Sequence, residues 1–252
     1  MNPVFDAHLH IINPQYPLVE NQGYLPGSFQ VEDYLDRVKH LGVRSGAVVS
    51  GSFQAFDQNY LLDALSRLGD QYVGVTQLPV STPDEQILSL NAQGIRAVRF
   101  NVRRGGSEDV RHLEKFSRRI YDLAGWHVEL YASAESLSAL EPVLPALPAI
   151  SIDHLGLDSN GLDRLRLLAS KGVYIKATGF GRLDFDAFDA IKMLYSENPD
   201  VLMFGTDLPS TRASKPFEDS HLFELSGVLD ADGVNKVLWH NARRFYRLDD
   251  GS

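Results

Sequence analysis

Val4-Phe5-Asp6-Ala7-His8-Leu9-His10 is the first of eight short apolar runs whose rhythm sets the fold of this 252-residue chain. It reads as a strand that ends in two histidines two residues apart. Residues i and i+2 of a strand point to the same face, so both imidazoles converge at one strand end. Imidazoles paired there suit proton transfer or metal ligation. Taken alone, the run also reads as a capped edge strand with two solvated histidines.

Seven further runs, rich in β-branched residues, follow at residues 46–50, 72–78, 95–101, 127–132, 149–154, 173–178 and 201–206. Between them lie segments with helical spacing. Examples are Val31-Tyr34-Leu35-Val38-Leu41, Leu61-Leu62-Leu65-Leu68, Phe116-Ile120-Leu123, Leu162-Leu165-Leu168 and Phe185-Phe188-Ile191-Leu194. Gly42, Gly69, Gly94, Gly125 and Gly172 stand where helices should end before the next strand. Eight strands alternating with helices predict an α/β protein, a (β/α)8 TIM barrel forming a single domain over residues 1–252. A doubly wound open sheet is the runner-up. Its first strand turn often carries a phosphate-cradling glycine loop, whereas His10-Ile11-Ile12-Asn13-Pro14 has no glycine. The proline-rich residues 142–148 read as a helix-to-strand connection and not as a domain linker.

The net charge of −9 argues against nucleic acid and anionic membrane partners. There is no run of apolar residues long enough to span a bilayer, and the first residues lack the basic and apolar stretches of a signal peptide. With no cysteine, the chain has no disulfide, no thiolate metal site and no cysteine nucleophile, which fits a cytoplasmic protein. The sequence leaves a homo-oligomer open.

In a barrel, chemistry sits at the C-terminal strand ends. Those ends carry His8 and His10, Ser50 and Ser52, Gln77, Arg99 and Asn101, Tyr131, Asp153 and His154, Lys176 and Thr178, and Thr206 and Asp207. Arg103, Arg104 and Arg182 lie just beyond them. Asp207 closes an apolar run, and a carboxylate at such a mouth can serve as a base or a metal ligand. The other reading is a helix N-cap. His154 suits an acid, a base or a carbonyl polariser, or else a buried histidine bonded to backbone. Arg99, Arg103, Arg104 and Arg182 form a cationic group within an acidic protein, as expected for recognition of carboxylates. Surface pairing with Glu108, Asp109, Asp184 or Asp186 is the plainer alternative. His127 begins its strand and belongs to the opposite end of the barrel; His40, His112, His221 and His240 are weaker candidates. No Gly-x-Ser-x-Gly elbow occurs, which excludes that form of serine hydrolase chemistry.

Together these residues resemble the amidohydrolase superfamily. The carriers are Asp6-Ala7-His8-Leu9-His10, Asp153-His154-Leu155-Gly156, Gly205-Thr206-Asp207-Leu208-Pro209 and the closing Asn241-Ala242-Arg243-Arg244-Phe245-Tyr246. Val98-Arg99-Phe100-Asn101 and Gly125-Trp126-His127-Val128-Glu129-Leu130-Tyr131 narrow the resemblance to the 2-pyrone-4,6-dicarboxylate hydrolase branch, related members of which open other lactones, sugar lactones included. The resemblance runs from about Phe5 to Leu248.

That branch implies a metal-free lactonase acting on a small anionic lactone. By motif position Asp207 corresponds to its general base and His154 to a catalytic histidine, with His8 and His10 in the same pocket. Arg99, Tyr131 and Arg182 match substrate-binding positions; so does Tyr24, on the loop over residues 11–28, and Ser52 and Arg104 match more loosely. Binuclear members need a bridging lysine or glutamate at strand four and a histidine ending strand five, and here Arg99/Asn101 and Tyr131 stand there. No cofactor is therefore expected. A single zinc on His8, His10 and Asp207, with His154 as a fourth ligand, is the alternative, giving metal-dependent hydrolysis or decarboxylation. A non-enzymatic binder of small carboxylates is a third reading, opposed by the histidines and the carboxylate beside the arginines. The chain departs from the branch at Leu157-Asp158, in place of arginine and proline, and at Leu208-Pro209-Ser210, which lack the aromatic and the histidine often seen there. Both departures bear on substrate identity more than on reaction type.

Overall fold

Eight parallel strands lie side by side in chain order in the computed structural model, which describes residues 2–248. They are β1 (Val4–Leu9), β2 (Val43–Val49), β3 (Tyr72–Thr76), β4 (Ile95–Asn101), β5 (His127–Tyr131), β6 (Ile150–Ile152), β7 (Tyr174–Ala177) and β8 (Leu202–Phe204). Seven helices return the chain from one strand to the next: α1 (Val31–Val38), α2 (Asn59–Leu68), α3 (Asp84–Ala92), α4 (Leu113–Ala124), α5 (Ala134–Leu140), α6 (Leu162–Ser170) and α7 (Ala187–Glu197). After β8 come α8 (Ser220–Val228), α9 (Ala231–Asn235), a π-helical turn (Lys236–His240) and α10 (Asn241–Tyr246).

The strand order excludes the doubly wound sheet, since such a sheet reverses direction at a switch point. Backbone bonds close β8 onto β1. The Asp207 N–H donates to the His8 carbonyl at 2.7 Å, and the His10 N–H donates to the Leu208 carbonyl at 2.8 Å. Asp6 locks the same seam by accepting from the Thr206 N–H (2.8 Å), the Thr206 hydroxyl (2.7 Å) and the Tyr34 hydroxyl (3.1 Å). Gly205 is needed there, because a Cβ would meet the His8 nitrogen at 2.6 Å.

The register of β1 against β2 slips between Asp6 and Leu9. Phe5 and Ala7 pack with Val49, Val75, Ala97 and Met203 in the lower barrel, and the extra residue then turns His8 and His10 together toward the mouth. The bottom is plugged by α10. Tyr246 stacks on Phe5, with centroids 5.2 Å apart, and Phe245 lies against His127 at 4.1 Å. His127 is therefore at the end away from the histidine pair, as its strand position predicts. The outer layer buries Trp126, Tyr34, Phe100 and Phe116, each contributing about 1.5–3 kcal/mol. The five helical spacings quoted above all prove helical, though α1 stops at Val38 and α7 starts after the Asp186 N-cap. The five glycines at the helix ends all take positive φ.

Candidate active site

The mouth is built around one carboxylate oxygen. Asp207 Oδ1 lies 3.9 Å from His8 Nε2, 3.7 Å from His10 Nε2 and 4.0 Å from His154 Nε2. All four side chains are buried, and neither Asp207 Oδ1 nor His8 Nε2 has a hydrogen-bond partner. The other oxygen of the carboxylate is taken: Arg182 contacts Asp207 Oδ2 through Nε and Nη2, both at 2.7 Å.

Neighbouring bonds set the proton on each imidazole. His10 Nδ1 faces the Val49 carbonyl at 2.7 Å, and a carbonyl can only accept. A neutral His10 therefore turns a lone pair toward Asp207 Oδ1, so two acceptors face each other 3.7 Å apart. A water donating to both, or a cation, satisfies that geometry. His154 Nδ1 meets the Thr178 hydroxyl at 2.8 Å. If that hydroxyl donates, the Nε2–H of His154 points into the mouth. His8 Nδ1 is 3.5 Å from both Lys176 Nζ and Asp153 Oδ1.

Burial lowers His154 to about 3 and His8 well below its usual value, Lys176 adding to the effect on His8. Both are neutral imidazoles near pH 7. Burial pushes the Asp207 carboxyl up, but Arg182, His154 and the other histidines outweigh it and hold it well below the usual carboxylate range. His154 (φ 51°) and Asp207 (φ 58°) both sit in the left-handed region. Each costs about 1–3 kcal/mol there, a form of strain that clusters at active sites. Gly179 (φ 63°) backs His154 closely; a Cβ would fall 2.6 Å from His154 Nδ1.

Above these groups opens a cavity of about 40 Å³, room for a few waters. Of the residues singled out from sequence, His10, Ser52, Arg99, Asn101, Arg104, Tyr131, His154 and Arg182 line it. His8 and Asp207 lie beneath, and Tyr24 stands outside with its ring under the Arg212 guanidinium. Arg99 is not free for a ligand in the simple way its strand position suggests. It is buried, bonded to Asp153 Oδ2 through Nε (3.0 Å) and Nη2 (2.8 Å) and to the Ser50 carbonyl at 2.9 Å, and its guanidinium packs against the Tyr131 ring.

Arg212, Phe53 and Thr211 also line the cavity. Nothing in the local pattern marks Arg212, which lies in an irregular loop after β8. Below the histidines is a buried charge cluster: Lys176 Nζ is 2.5 Å from Glu129 Oε2 and 3.8 Å from Asp153 Oδ1, and the Tyr246 hydroxyl donates to Glu129 Oε1 at 2.5 Å. The alternation of β5 and β7 could have revealed it, since Glu129 and Lys176 are charges within apolar runs.

His8, His10 and Asp207 offer ligand atoms within 4.8 Å of one another, and two of those atoms are unpartnered. Two imidazoles and a carboxylate suit one zinc with an open position, and the His10 bond to Val49 gives the second-sphere support such a ligand needs. The residues present fit a mononuclear ion.

A family model described as amidohydrolase matches residues 5–248. A 2-pyrone-4,6-dicarboxylate hydrolase of Comamonas testosteroni is 26% identical, over 96% of this chain and 89% of its own. The crystal structure of a probable 2-pyrone-4,6-dicarboxylic acid hydrolase from Acinetobacter baumannii, with citric acid bound, superposes with a TM-score of 0.83 at 24% identity, covering 98% of this chain and 100% of that one. A protein of Pseudomonas putida described as a putative 2-pyrone-4,6-dicarboxylic acid hydrolase gives a TM-score of 0.80 at 24% identity, with both chains covered in full. The two structural likenesses bear on the fold alone. Among the described residues no helix is long and apolar enough to cross a membrane.

Proposed function

Because the chain belongs to the amidohydrolase family, we propose that it is a hydrolase that opens a small anionic lactone, of the kind typified by 2-pyrone-4,6-dicarboxylate. The carrying observation is Asp207 Oδ1, unpartnered, ringed by three histidine nitrogens and roofed by arginines. A water between Asp207 Oδ1 and His10 Nε2 gives up its proton to Asp207 as its oxygen adds to the lactone carbonyl. The Nε2–H of His154 bonds the developing oxyanion, with His8 supporting it, and the proton that Asp207 took from the water passes to the ring oxygen as the acyl C–O bond breaks, which returns Asp207 to its carboxylate. Ester and water become acid and alcohol, with no redox step.

Arg182 has two tasks in this scheme. A substrate carboxylate that draws its guanidinium away from Asp207 Oδ2 leaves the carboxylate more basic when the water must be deprotonated. Arg99, Tyr131, Tyr24, Arg104 and Ser52 orient the ring and its anionic substituents. The tip of the loop over residues 11–28 bonds Arg104 and Arg212 at the rim of the cavity and serves as its lid. The catalytic cycle needs no metal, because Arg182, Arg99 and Lys176 already supply positive charge around the carboxylates. A zinc held by His8, His10 and Asp207, with His154 as a fourth ligand, is the second reading; bound there, it would supply Lewis-acid polarisation of the carbonyl. The compartment consistent with this reading is the cytoplasm.

The test is a panel of lactones followed by acid release at constant pH, with 2-pyrone-4,6-dicarboxylate and sugar-acid lactones included. Opening of an anionic lactone is expected, with activity that survives chelation. No acid release from any lactone would reject the function. Stoichiometric zinc together with chelator-sensitive turnover would reject its metal-free form.

A further inference from the structure

Lys176 and Glu129 are full charges in the middle of the barrel, and the scheme above gives neither of them a step. Ile175 and Ala177 on either side of Lys176 pack in the outer layer, as Val128 and Leu130 do around Glu129, so strand alternation turns both charges inward. We infer that Lys176 is a positioning residue: its ammonium, anchored on Glu129, keeps the proton of His8 on Nε2, so that His8 presents a donor to the mouth and not a lone pair to a divalent cation. The part this plays in catalysis rests on the lactone reading above; the tautomer and the metal preference do not.

Two buried groups of opposite charge compete for His8 Nδ1. Lys176 Nζ and Asp153 Oδ1 each lie 3.5 Å from it. An ammonium can only donate and a carboxylate can only accept, so the first calls for a lone pair on Nδ1 and the second for a proton. Direction separates them. Lys176 is placed to donate to His8 Nδ1, whereas Asp153 Oδ1 has no hydrogen-bond partner among the described residues. At 3.5 Å the ammonium charge itself also favours a lone pair over an N–H pointing at it. Arg99 fixes Asp153 in that pose through its other oxygen, Oδ2, with Nε at 3.0 Å and Nη2 at 2.8 Å. Glu129 fixes Lys176. It accepts from Lys176 Nζ at 2.5 Å and from the Tyr246 hydroxyl at 2.5 Å, and His127 Nε2 lies 3.2 Å away. An ammonium has three hydrogens, so the bond to Glu129 leaves others for His8.

The place of that proton decides what the mouth can hold. His10 already turns a lone pair toward Asp207 Oδ1. With His8 protonated on Nδ1, a second lone pair would join it, and three acceptor atoms would converge with no donor among them, which is a cation site. With the proton on Nε2, one of the three ligand atoms is withdrawn. His8 then donates toward Asp207 Oδ1 from 3.9 Å, a separation that a water bridges. An N–H is also what the proposed reaction asks of His8, since a lone pair there cannot support an oxyanion. By distance the donor atoms fit an ion; Lys176 sets the proton of one of them against it.

The test is NMR of the full chain, stripped of metal and carrying nitrogen-labelled histidine, in which the shifts of the two ring nitrogens report the tautomer; the spectrum of H8N assigns the His8 signals. Wild type should show His8 protonated on Nε2 alone, and a proton on Nδ1 overturns the inference. K176M/E129Q removes both charges together and so leaves neither unpaired. It should move the proton to Nδ1, facing Asp153, and tighten zinc by about 10- to 100-fold in competition with a coloured chelator. Its kcat on whichever lactone is opened should fall about a hundredfold, with KM changed less. K176R, which keeps a cationic donor beside Glu129, should retain the Nε2 tautomer. If Lys176 only stabilises the barrel, the double variant keeps the wild-type tautomer and zinc affinity, which overturns the inference. Should the double variant fail to fold, the wild-type spectrum decides alone. The Nε2 tautomer and the gain in zinc affinity with no lactone opened leave the positioning role standing and reject the lactonase. Lactone opening with the His8 proton on Nδ1 does the reverse.

Discussion

Replacing Lys176 with Met tests how the barrel tolerates full charges in its core. Lys176 Nζ is 2.5 Å from Glu129 Oε2 and 3.8 Å from Asp153 Oδ1, with all three side chains fully buried. At an effective dielectric near 20, unit charges about 2.5 Å apart attract by roughly 7 kcal/mol. Desolvating the two ions takes back several kcal/mol each, so the pair nets little while either partner alone is a large liability. K176M should therefore destabilise the protein by about 3–5 kcal/mol, because Glu129 is left charged in the core. E129Q, which keeps an acceptor for the Tyr246 hydroxyl, should cost a similar amount. The double variant removes both charges and should cost well below the sum, with a coupling of roughly 2–3 kcal/mol. Urea unfolding at pH 7 measures all four corners of the cycle. Costs that add within about 0.5 kcal/mol would refute the reasoning, since independent sites do not compensate each other. The pH dependence gives a second check. Burial pushes the Glu129 carboxyl up, but Lys176 outweighs it and holds it low. In wild type this stabilises above the unfolded carboxylate range and is lost as pH falls. In K176M burial prevails, Glu129 takes up a proton more readily, and the destabilisation should shrink on acidification.

D207N should lower kcat roughly a thousandfold with a much smaller change in KM; a fully active variant would remove Asp207 as the base. R182Q leaves burial of Asp207 opposed only by the histidines, so the acid limb of its pH–rate profile should move to higher pH, with KM for anionic lactones raised. An unmoved limb would mean that Arg182 does not control the carboxylate. Acid should weaken the fold before carboxylates of ordinary pKa titrate. Burial depresses His8, His127 and His154, so each takes up a proton on unfolding below about pH 6.5. Asp6, which burial raises to about 6, releases one and partly offsets them. Going from pH 7 to pH 5 should cost roughly 3 kcal/mol in urea unfolding, and a flat profile would contradict the neutral-histidine site.

The eight apolar runs were enough to read the barrel, because burial of a strand on both faces leaves a continuous apolar stretch in one short segment. β4 spans residues 95–101 as its run suggests, whereas the runs around β6 and β8 overshoot, since their last residues leave the ladder to enter the mouth. Helices α3 and α5 are faint in sequence because each buries only two apolar side chains, Ile87 and Leu90 in one and Ala134 and Leu137 in the other. The strand-end rule likewise brought His8, His10, His154 and Asp207 together, four residues spread over 200 positions.

By itself, then, the sequence determined the barrel, the end at which polar groups gather, and the histidine–carboxylate grouping, because each follows from a local period or a residue's place on its strand. Only the tertiary structure decided which charge answers which. It paired Arg99 with Asp153, set Arg182 on Asp207, sank Lys176 beside Glu129 and left Arg104 and Arg212 at the rim without an acidic partner among the described residues. Coulomb energy depends on separation and burial in three dimensions, and neither is written in the spacing of residues along the chain.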